Sequence, residues 1–474
     1  MLYQLLRGTA AIALRWYYAD VAVQGRERVP RDGPLLILAN QPNALIDPLV
    51  VGTTVDRRVL LTAKATLFDH PALGLLLRAV GAVPLRRAKD ELRDGAVIPP
   101  TPERNAYAFQ LVTAALRDQQ VVLVFPEGIS HDDPTLAPLK SGAARMALQA
   151  RREGVADVRL LPMGLVFEEK ERPDSRVLVR VGEALDLDRW LAERDDVDAH
   201  ELTQLLEARL RAVTLNFATA ERARRAVRLA RVLAALGGAP GPVDEPKSLE
   251  EEATLAFRID AATSALADAP PHLAAAADVL VAKLDTIEHE LRRRGVSLAD
   301  VRVSTRLPDA VSFLIRELPL ALLAGVALLL GRVTHWIPLR AARRLALRSL
   351  AHNTSRDQPA MRTILFGLSA IVLWYVIQFV ALMRIASPFV ATLWLALILS
   401  AAHANRVLGG RLDRALERAR SFLAFRADPT LQPRLVATVD ALLAEALALE
   451  RTLIGGEDLA GRRGSPLADL GRRR

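Results

Sequence analysis

The chain has 474 residues, with 63 Lys and Arg against 54 Asp and Glu, a net charge of +9, and no cysteine. The absence of thiols excludes disulfides, thiolate metal sites and a cysteine nucleophile. Aromatics at only 5% argue against base-stacking platforms and hence against nucleic acid as a partner, while a mean hydropathy of +0.18 beside the basic surplus points to lipid and an anionic membrane face.

In chain order, residues 1–20 read as an amphipathic helix in which the apolar stretch Gly8–Leu14 runs into Arg15, Trp16, Tyr17 and Tyr18. Basic and aromatic residues side by side suit a helix lying in a membrane interface. A helix packed on the domain's own core is the alternative. No cleavage site follows, so this is not read as a signal peptide. From residue 21 to about 215, short Val- and Leu-rich runs at Leu35–Ala39, Val59–Thr62, Val121–Phe125, Val158–Val166 and Val177–Val181 read as buried strands. Helical patterns such as Asn105–Arg117 and Ser141–Glu153 lie between them. The alternation predicts an α/β domain, a mixed sheet covered by helices.

Residues 216–310 are rich in Ala, Leu, Arg and Glu at helical spacing, and read as a helical region interrupted by a Gly/Pro linker at 236–248. A C-terminal membrane-embedded helical segment is expected over 311–405. Thr363–Met383 carries no charge over 21 residues, and Ile385–Ala404 adds 20 more with one His. Each is long enough to cross a hydrocarbon core of roughly 30 Å, and together they read as a hairpin. Leu318–Gly331, within 318–337, is a third span or a re-entrant segment. Arg340, Arg343, Arg344, Arg348, Arg356 and Arg362 precede the hairpin; Arg406, Arg411, Arg414, Arg418 and Arg420 follow it. Positive-inside reasoning places both flanks on the cytoplasmic side. The N-terminal domain is expected to face the cytoplasm too, in which case Leu318–Gly331 should not cross fully. Residues 406–474 read as helices and a loose tail.

Three polar clusters follow strand candidates. The first is the turn Asn40-Gln41-Pro42-Asn43-Ala44-Leu45-Ile46-Asp47-Pro48. The second is "GAVPLRR", ending in Arg86 and Arg87. The third is Phe125-Pro126-Glu127-Gly128-Ile129-Ser130, followed by Lys140 at the head of a helical pattern. Arg86 and Arg87 offer forked donors suited to phosphate. Gly128 permits close backbone approach, Ser130 adds a hydroxyl, and Lys140 lies where a helix N-terminus favours anions. The set fits a small phosphorylated substrate. Neither dinucleotide nor P-loop signatures occur. Asp132 stands where a nucleophile elbow needs its second Gly. His131-Asp132-Asp133 lacks a second His at ligand spacing, so no metal is expected and the triplet reads as a solvated loop.

Together the clusters resemble the phospholipid/glycerol acyltransferase family, which acylates glycerol 3-phosphate, dihydroxyacetone phosphate or lysophosphatidate in phospholipid biosynthesis. The resemblance covers roughly residues 20–190. "NQPNALIDP" is similar to its first block, "GAVPLRR" to its second, "FPEGIS" to its third, and "LLPMGLVFEE" around Pro162 to its fourth. The resemblance implies direct transfer of an acyl group from an acyl-CoA or acyl-carrier-protein thioester to the hydroxyl of a glycerol-phosphate-type acceptor, with no bound cofactor. It assigns general-base and orienting roles to positions 41 and 47. It gives acceptor binding to Asn43, Arg86 and the Glu127–Ser130 turn. The departure is Gln41, which stands where the family has His. An amide has no useful basicity, and positioned general-base catalysis contributes about 10²–10⁴-fold, so impaired turnover is expected. His131 substitutes only if the fold brings it to the first turn. The alternative is a non-catalytic phospholipid- or lysolipid-binding protein on the same fold.

Overall fold

The strands at the heart of this chain lie in the N-terminal half. A computed structural model describes residues 2–43, 46–69, 71–85, 106–129, 131, 133–170, 172, 174–194, 198–237, 249–266, 269–351 and 359–454. The chain divides into two units, one of residues 1–220 with 346–365 and one of residues 221–345 with 366–474.

In the first unit the strands are β1 (Asp20–Gln24), β2 (Leu35–Ala39), β3 (Val59–Lys64), β4 (Val83–Leu85), β5 (Val121–Val124), β6 (Arg159–Phe167), β7 (Arg176–Val181) and β8 (Leu185–Asp186). They form one sheet in the order β1-β7-β6-β2-β5-β3-β4, with β8 pairing β6. β2 runs parallel to both neighbours, with Leu36 beside Val122 and Leu160, and the β6–β7 pair is antiparallel. The predicted mixed sheet is therefore present. The five strands expected from sequence all form. The short strands β1, β4 and β8 were not expected.

β2 explains why an unbroken apolar run serves as a strand here. Leu35, Ile37 and Ala39 face one core, shared with α1 (Leu2–Tyr17) and α2 (Ile46–Thr54). Leu36 and Leu38 face the other, filled by α4 (Ala106–Arg117), α5 (Gly142–Arg152) and α7 (Ala199–Arg211). Period-two alternation thus feeds two apolar layers, and no position is left for a polar side chain. The helix α3 (Pro71–Val80) leads into β4, and α6 (Leu187–Ala192) follows β8. The two readings of the N-terminal helix meet in α1. It buries Leu14 and Tyr17 in the core, anchors Arg7 on the carbonyls of Gly52 and Val55, and leaves Leu5 and Ile12 exposed.

One contact in this unit admits no side chain at all. A Cβ on Gly164 of β6 would lie 2.0 Å from the carbonyl oxygen of Val213 and 2.6 Å from its carbon. Backbone cannot yield as a rotamer can. Gly164→Ala is expected to destabilise the protein by about 3 kcal/mol, read as a lower midpoint in thermal unfolding.

The second unit is helical. Its helices are α8 (Ala220–Gly237), α9 (Leu249–Ala265), α10 (Pro271–Arg294), α11 (Leu307–Ala351), α12 (Pro359–Ile385), α13 (Pro388–Ala427) and α14 (Leu431–Ile454), of which Ala220 and the parts of α11 and α12 within 346–365 group with the first unit. The first two residues of the expected linker, Leu236 and Gly237, are the last turn of α8; its remainder lies outside the described residues. Leu236, Leu291, Leu435 and Val439 pack in one core, tied by Arg258–Glu450 and Lys283–Glu445 ion pairs.

The expected hairpin break falls at Ala386 and Ser387, where the Ser387 hydroxyl caps α13 through Val390 N–H and Pro388 occupies the first turn. Among the described residues, Pro388–Asn405 is the one single helix long and apolar enough to cross a membrane, while the apolar stretch Ser369–Ile385 of α12 is shorter. Leu318–Gly331 is not a separate 14-residue segment. It belongs to α11, bent by 48° between Leu307–Leu322 and Ala324–Leu345. The helix continues through Arg332, whose guanidinium is paired with Asp413 at 2.9 Å.

Candidate active site

Parallel pairing of β2 with β5 aligns their carboxyl ends, so the turn at 40–47 and the turn at 125–131 emerge side by side, where open parallel sheets carry their ligand sites. Asn40 extends the β2–β6 ladder with its side chain. It donates from Nδ2 to Leu165 O (3.1 Å) and accepts from Leu165 N–H at Oδ1 (2.7 Å). The two turns are joined by Gln41 N–H, which donates to Glu127 Oε1 at 3.0 Å.

Asn43 and Asp47 lie beneath the first turn, both buried. Asp47 Oδ2 accepts Asn43 N–H at 2.7 Å, and Asn43 O accepts Ile46 N–H at 2.9 Å, which closes the chain into the start of α2. Asn43 Nδ2 donates to the Tyr18 hydroxyl (3.0 Å) and to Lys170 O (3.3 Å). Burial raises the Asp47 carboxyl well above its ordinary value; the Asn43 N–H and Lys170 pull it down, and Glu127 pushes it up. Burial also drives the Tyr18 hydroxyl far up, so it stays a proton donor, aimed at Lys170 O (3.3 Å).

Sequence reasoning missed Tyr18 and Lys170. Lys170 sits in the loop between β6 and β7 and donates from Nζ to Pro42 O at 2.8 Å, across 128 positions of sequence. No local pattern marks such a residue. Glu168 and Glu169 ahead of it and Arg172 behind it make it look like one charge in a solvated hairpin.

Glu127 is the hub of the second turn. Its side chain is 1% exposed. Oε1 holds Gln41 N–H, and Oε2 accepts from Ala137 N–H (2.8 Å) and lies 2.6 Å from His131 Nε2. Gly128, at φ +70°, makes the reversal that carries His131 back over Glu127. His131 is therefore not in a solvated loop, as its sequence suggested: its side chain is 15% exposed, against 78% for Asp133. An acidic, polar triplet resembles solvent-facing loop when the buried carboxylate four residues upstream is ignored. Lys140, exposed ahead of α5, closes the loop through its N–H on Pro126 O (2.8 Å), and its stem lies alongside Gly128. The structure thus brings Gln41, Asn43, Asp47, Glu127, Gly128 and Lys140 to one end of the sheet. Arg86, Arg87 and Ser130 lie outside the described residues; Leu85, just before Arg86, ends β4 two strands beyond β5 at the same end.

Residues 20–166 match the family model described as Acyltransferase, and this part of the chain is an Acyltransferase-family domain. An uncharacterized acyltransferase of Schizosaccharomyces pombe is 24% identical over 255 residues, 37% of this chain and 38% of that protein. Glycerol-3-phosphate O-acyltransferase 2 of Saccharomyces cerevisiae is 38% identical over 85 residues, 18% of this chain and 11% of the yeast protein. The chain thus spans well under two thirds of either relative. Among solved structures, a 1-acyl-sn-glycerophosphate acyltransferase from Thermotoga maritima aligns at a TM-score of 0.34 and 20% identity, over 44% of this chain and 78% of that one.

Proposed function

We propose that this protein transfers a fatty acyl group from an acyl thioester to the hydroxyl of a glycerol-phosphate-type acceptor, at a membrane surface. The observation that carries this reading is the Gln41 N–H to Glu127 Oε1 bond. It ties the first and third blocks of the family into one site, over a turn whose buried Asn43 and Asp47 are intact. In the reaction the acceptor oxygen attacks the thioester carbonyl, a C–O bond forms, the C–S bond breaks, and the thiol leaves with the hydroxyl's proton. Arg86 and Arg87 are assigned to the acceptor phosphate, with Lys140 adding positive charge.

The membrane part of the proposal is supported by an inverted arrangement in the second unit. Leu322, Val326, Leu329, Val372, Val376 and Leu393 are exposed on α11, α12 and α13. Polar groups instead meet inside: His335 Nδ1 with Gly331 O (2.7 Å), His335 Nε2 with the Tyr375 hydroxyl, and Trp394 Nε1 donating to Gln378 Oε1 (3.0 Å). Apolar outside and polar inside is the pattern expected of helices in lipid.

The reading is tested with the purified full chain in phospholipid vesicles, using palmitoyl-coenzyme A and glycerol 3-phosphate. Formation of the O-acyl product is expected. Binding of glycerol 3-phosphate with no turnover in either the native protein or Gln41→His decides for the lipid-binding alternative. Arg86→Ala is expected to raise the acceptor KM about tenfold or more, as loss of a charge-assisted phosphate contact requires. An unchanged KM removes Arg86 from the site.

A further inference from the structure

The acyl transfer proposed above needs a proton acceptor, and Gln41 cannot be one. We infer that His131 is the catalytic base of this protein, fixed in its working tautomer by Glu127; the inference rests on the acyltransferase reading.

Both oxygens of Glu127 accept backbone N–H groups, Gln41 on one and Ala137 on the other. A carboxylate offers only acceptors, so the 2.6 Å contact to His131 Nε2 requires the imidazole proton on Nε2. Nδ1 then keeps its lone pair. Nδ1 is buried and has no hydrogen-bond partner among the described residues. Asp133 Oδ2 lies 3.7 Å from it, but is itself an acceptor and cannot satisfy it. A buried acceptor without a donor costs about 1–3 kcal/mol, and the partner it lacks is an O–H or N–H. An attacking hydroxyl is such a donor.

The placement is equally specific. One carboxylate, Glu127, bridges the His131 ring and the backbone of Gln41. The imidazole thus reaches the position-41 turn from the opposite loop, four residues beyond Glu127 instead of on β2's own turn. The charged groups around it suit a base. Glu127 Oε2 at 2.6 Å from Nε2 and Asp133 Oδ2 at 3.7 Å from Nδ1 put an acidic side chain on each side of the ring. Glu127 and Lys170 act in opposite senses on Asp47, Glu127 raising its carboxyl and Lys170 lowering it. A carboxylate that fixes the imidazole tautomer while the other ring nitrogen takes the proton is the logic of base activation. In the step itself, the acceptor hydroxyl gives its proton to Nδ1 as its oxygen bonds to the acyl carbon. The C–S bond then breaks, and the imidazolium returns that proton to the departing thiolate.

The rival role for His131 is to pin its loop onto Glu127. The two roles separate by moving the base, because an imidazole installed on the other turn does not repair a loop. In the vesicle assay with palmitoyl-coenzyme A and glycerol 3-phosphate, His131→Gln is expected to lower kcat/KM about 10²–10⁴-fold with the folded circular dichroism spectrum kept. Gln41→His in the His131→Gln background is expected to recover at least tenfold of that loss, and added imidazole to recover part of the activity of His131→Ala. The inference is overturned if His131→Gln turns over like the native protein, or if its loss is repaired by neither Gln41→His nor imidazole. Turnover by Gln41→His with none by the native protein overturns the role of His131 and leaves the acyltransferase reading standing. No turnover by either overturns both.

Discussion

Glu127→Ala is expected to unfold the site as well as silence it. Three groups depend on that carboxylate: the N–H of Gln41, the N–H of Ala137 and the His131 ring. Alanine takes the acceptor from both half-buried backbone donors. Each such orphan costs about 1–3 kcal/mol, so a loss of roughly 2–6 kcal/mol is expected before any cavity is counted. Glu127→Gln is not a gentle alternative. An amide presents one acceptor and one donor edge. If its oxygen keeps Gln41 N–H, its NH₂ meets Ala137 N–H and the His131 Nε2 proton; if it turns over, it meets Gln41 N–H. Either way one donor faces another in a buried place. Both variants are expected to show a lower denaturation midpoint in urea and acyl transfer at least 10²-fold below the native protein. The alanine variant is expected to be the less stable. A glutamine variant with native stability and turnover removes Glu127 from its place as hub, and the tautomer argument for His131 with it.

How much of this was legible in sequence follows from the distance over which each feature is specified. Buried parallel strands announce themselves locally, because both faces must be apolar; Leu35–Ala39 and Val121–Val124 were found for that reason. So was the turn after β2, since prolines at 42 and 48 and the Asn43/Asp47 pair form a dense local pattern. The links between turns were not legible. Asn40 to Leu165 spans 125 positions and Gln41 to Glu127 spans 86, and both exist only because the sheet order places β2 between β6 and β5. Strand order is a tertiary property, and no periodicity encodes it. The misreading of His131 has a more local cause. The residues 131–133 look solvated on composition alone, and the fact that reverses this is the positive φ of Gly128, which folds the loop onto a carboxylate that is itself buried. A Gly directly after a Glu, followed three positions on by a His, was the available signal. The long helix α11 escaped because a charge at Arg332 reads as an end, whereas a distant Asp413 neutralises it.

Asp47→Asn is expected to stabilise the protein at neutral pH, and to do so more as pH rises. Asp47 is wholly buried, and burial raises its folded-state pKa well above 3.8. The sign follows from proton counting. Below about pH 3.8 the folded and unfolded states both hold the proton, and the group leaves stability unaffected. Above it the unfolded chain releases the proton while the folded chain retains it. Unfolding then becomes more favourable with each increment of pH, until the folded carboxyl ionises too. This is opposite to a salt-bridged Asp, whose contribution grows with pH. Asparagine keeps an oxygen for Asn43 N–H and carries no charge to bury. Asp47 Oδ1 has no hydrogen-bond partner among the described residues, so no donor is displaced when that atom becomes NH₂. The difference in unfolding free energy between Asp47→Asn and the native protein, measured in urea from about pH 4 to pH 8, is therefore expected to widen in favour of the variant as pH rises from about 4, and to level off only where the folded carboxyl ionises. A flat difference, or one that narrows, shows that the folded protein stabilises the ionised carboxylate, and with it overturns the account of burial. A carboxylate kept where it lowers stability marks a working position. Asp47 faces Glu127 electrostatically, and Glu127 holds His131. Asparagine removes a titratable group buried beside that pair, so the more stable variant is expected to be the slower enzyme, by about tenfold or more.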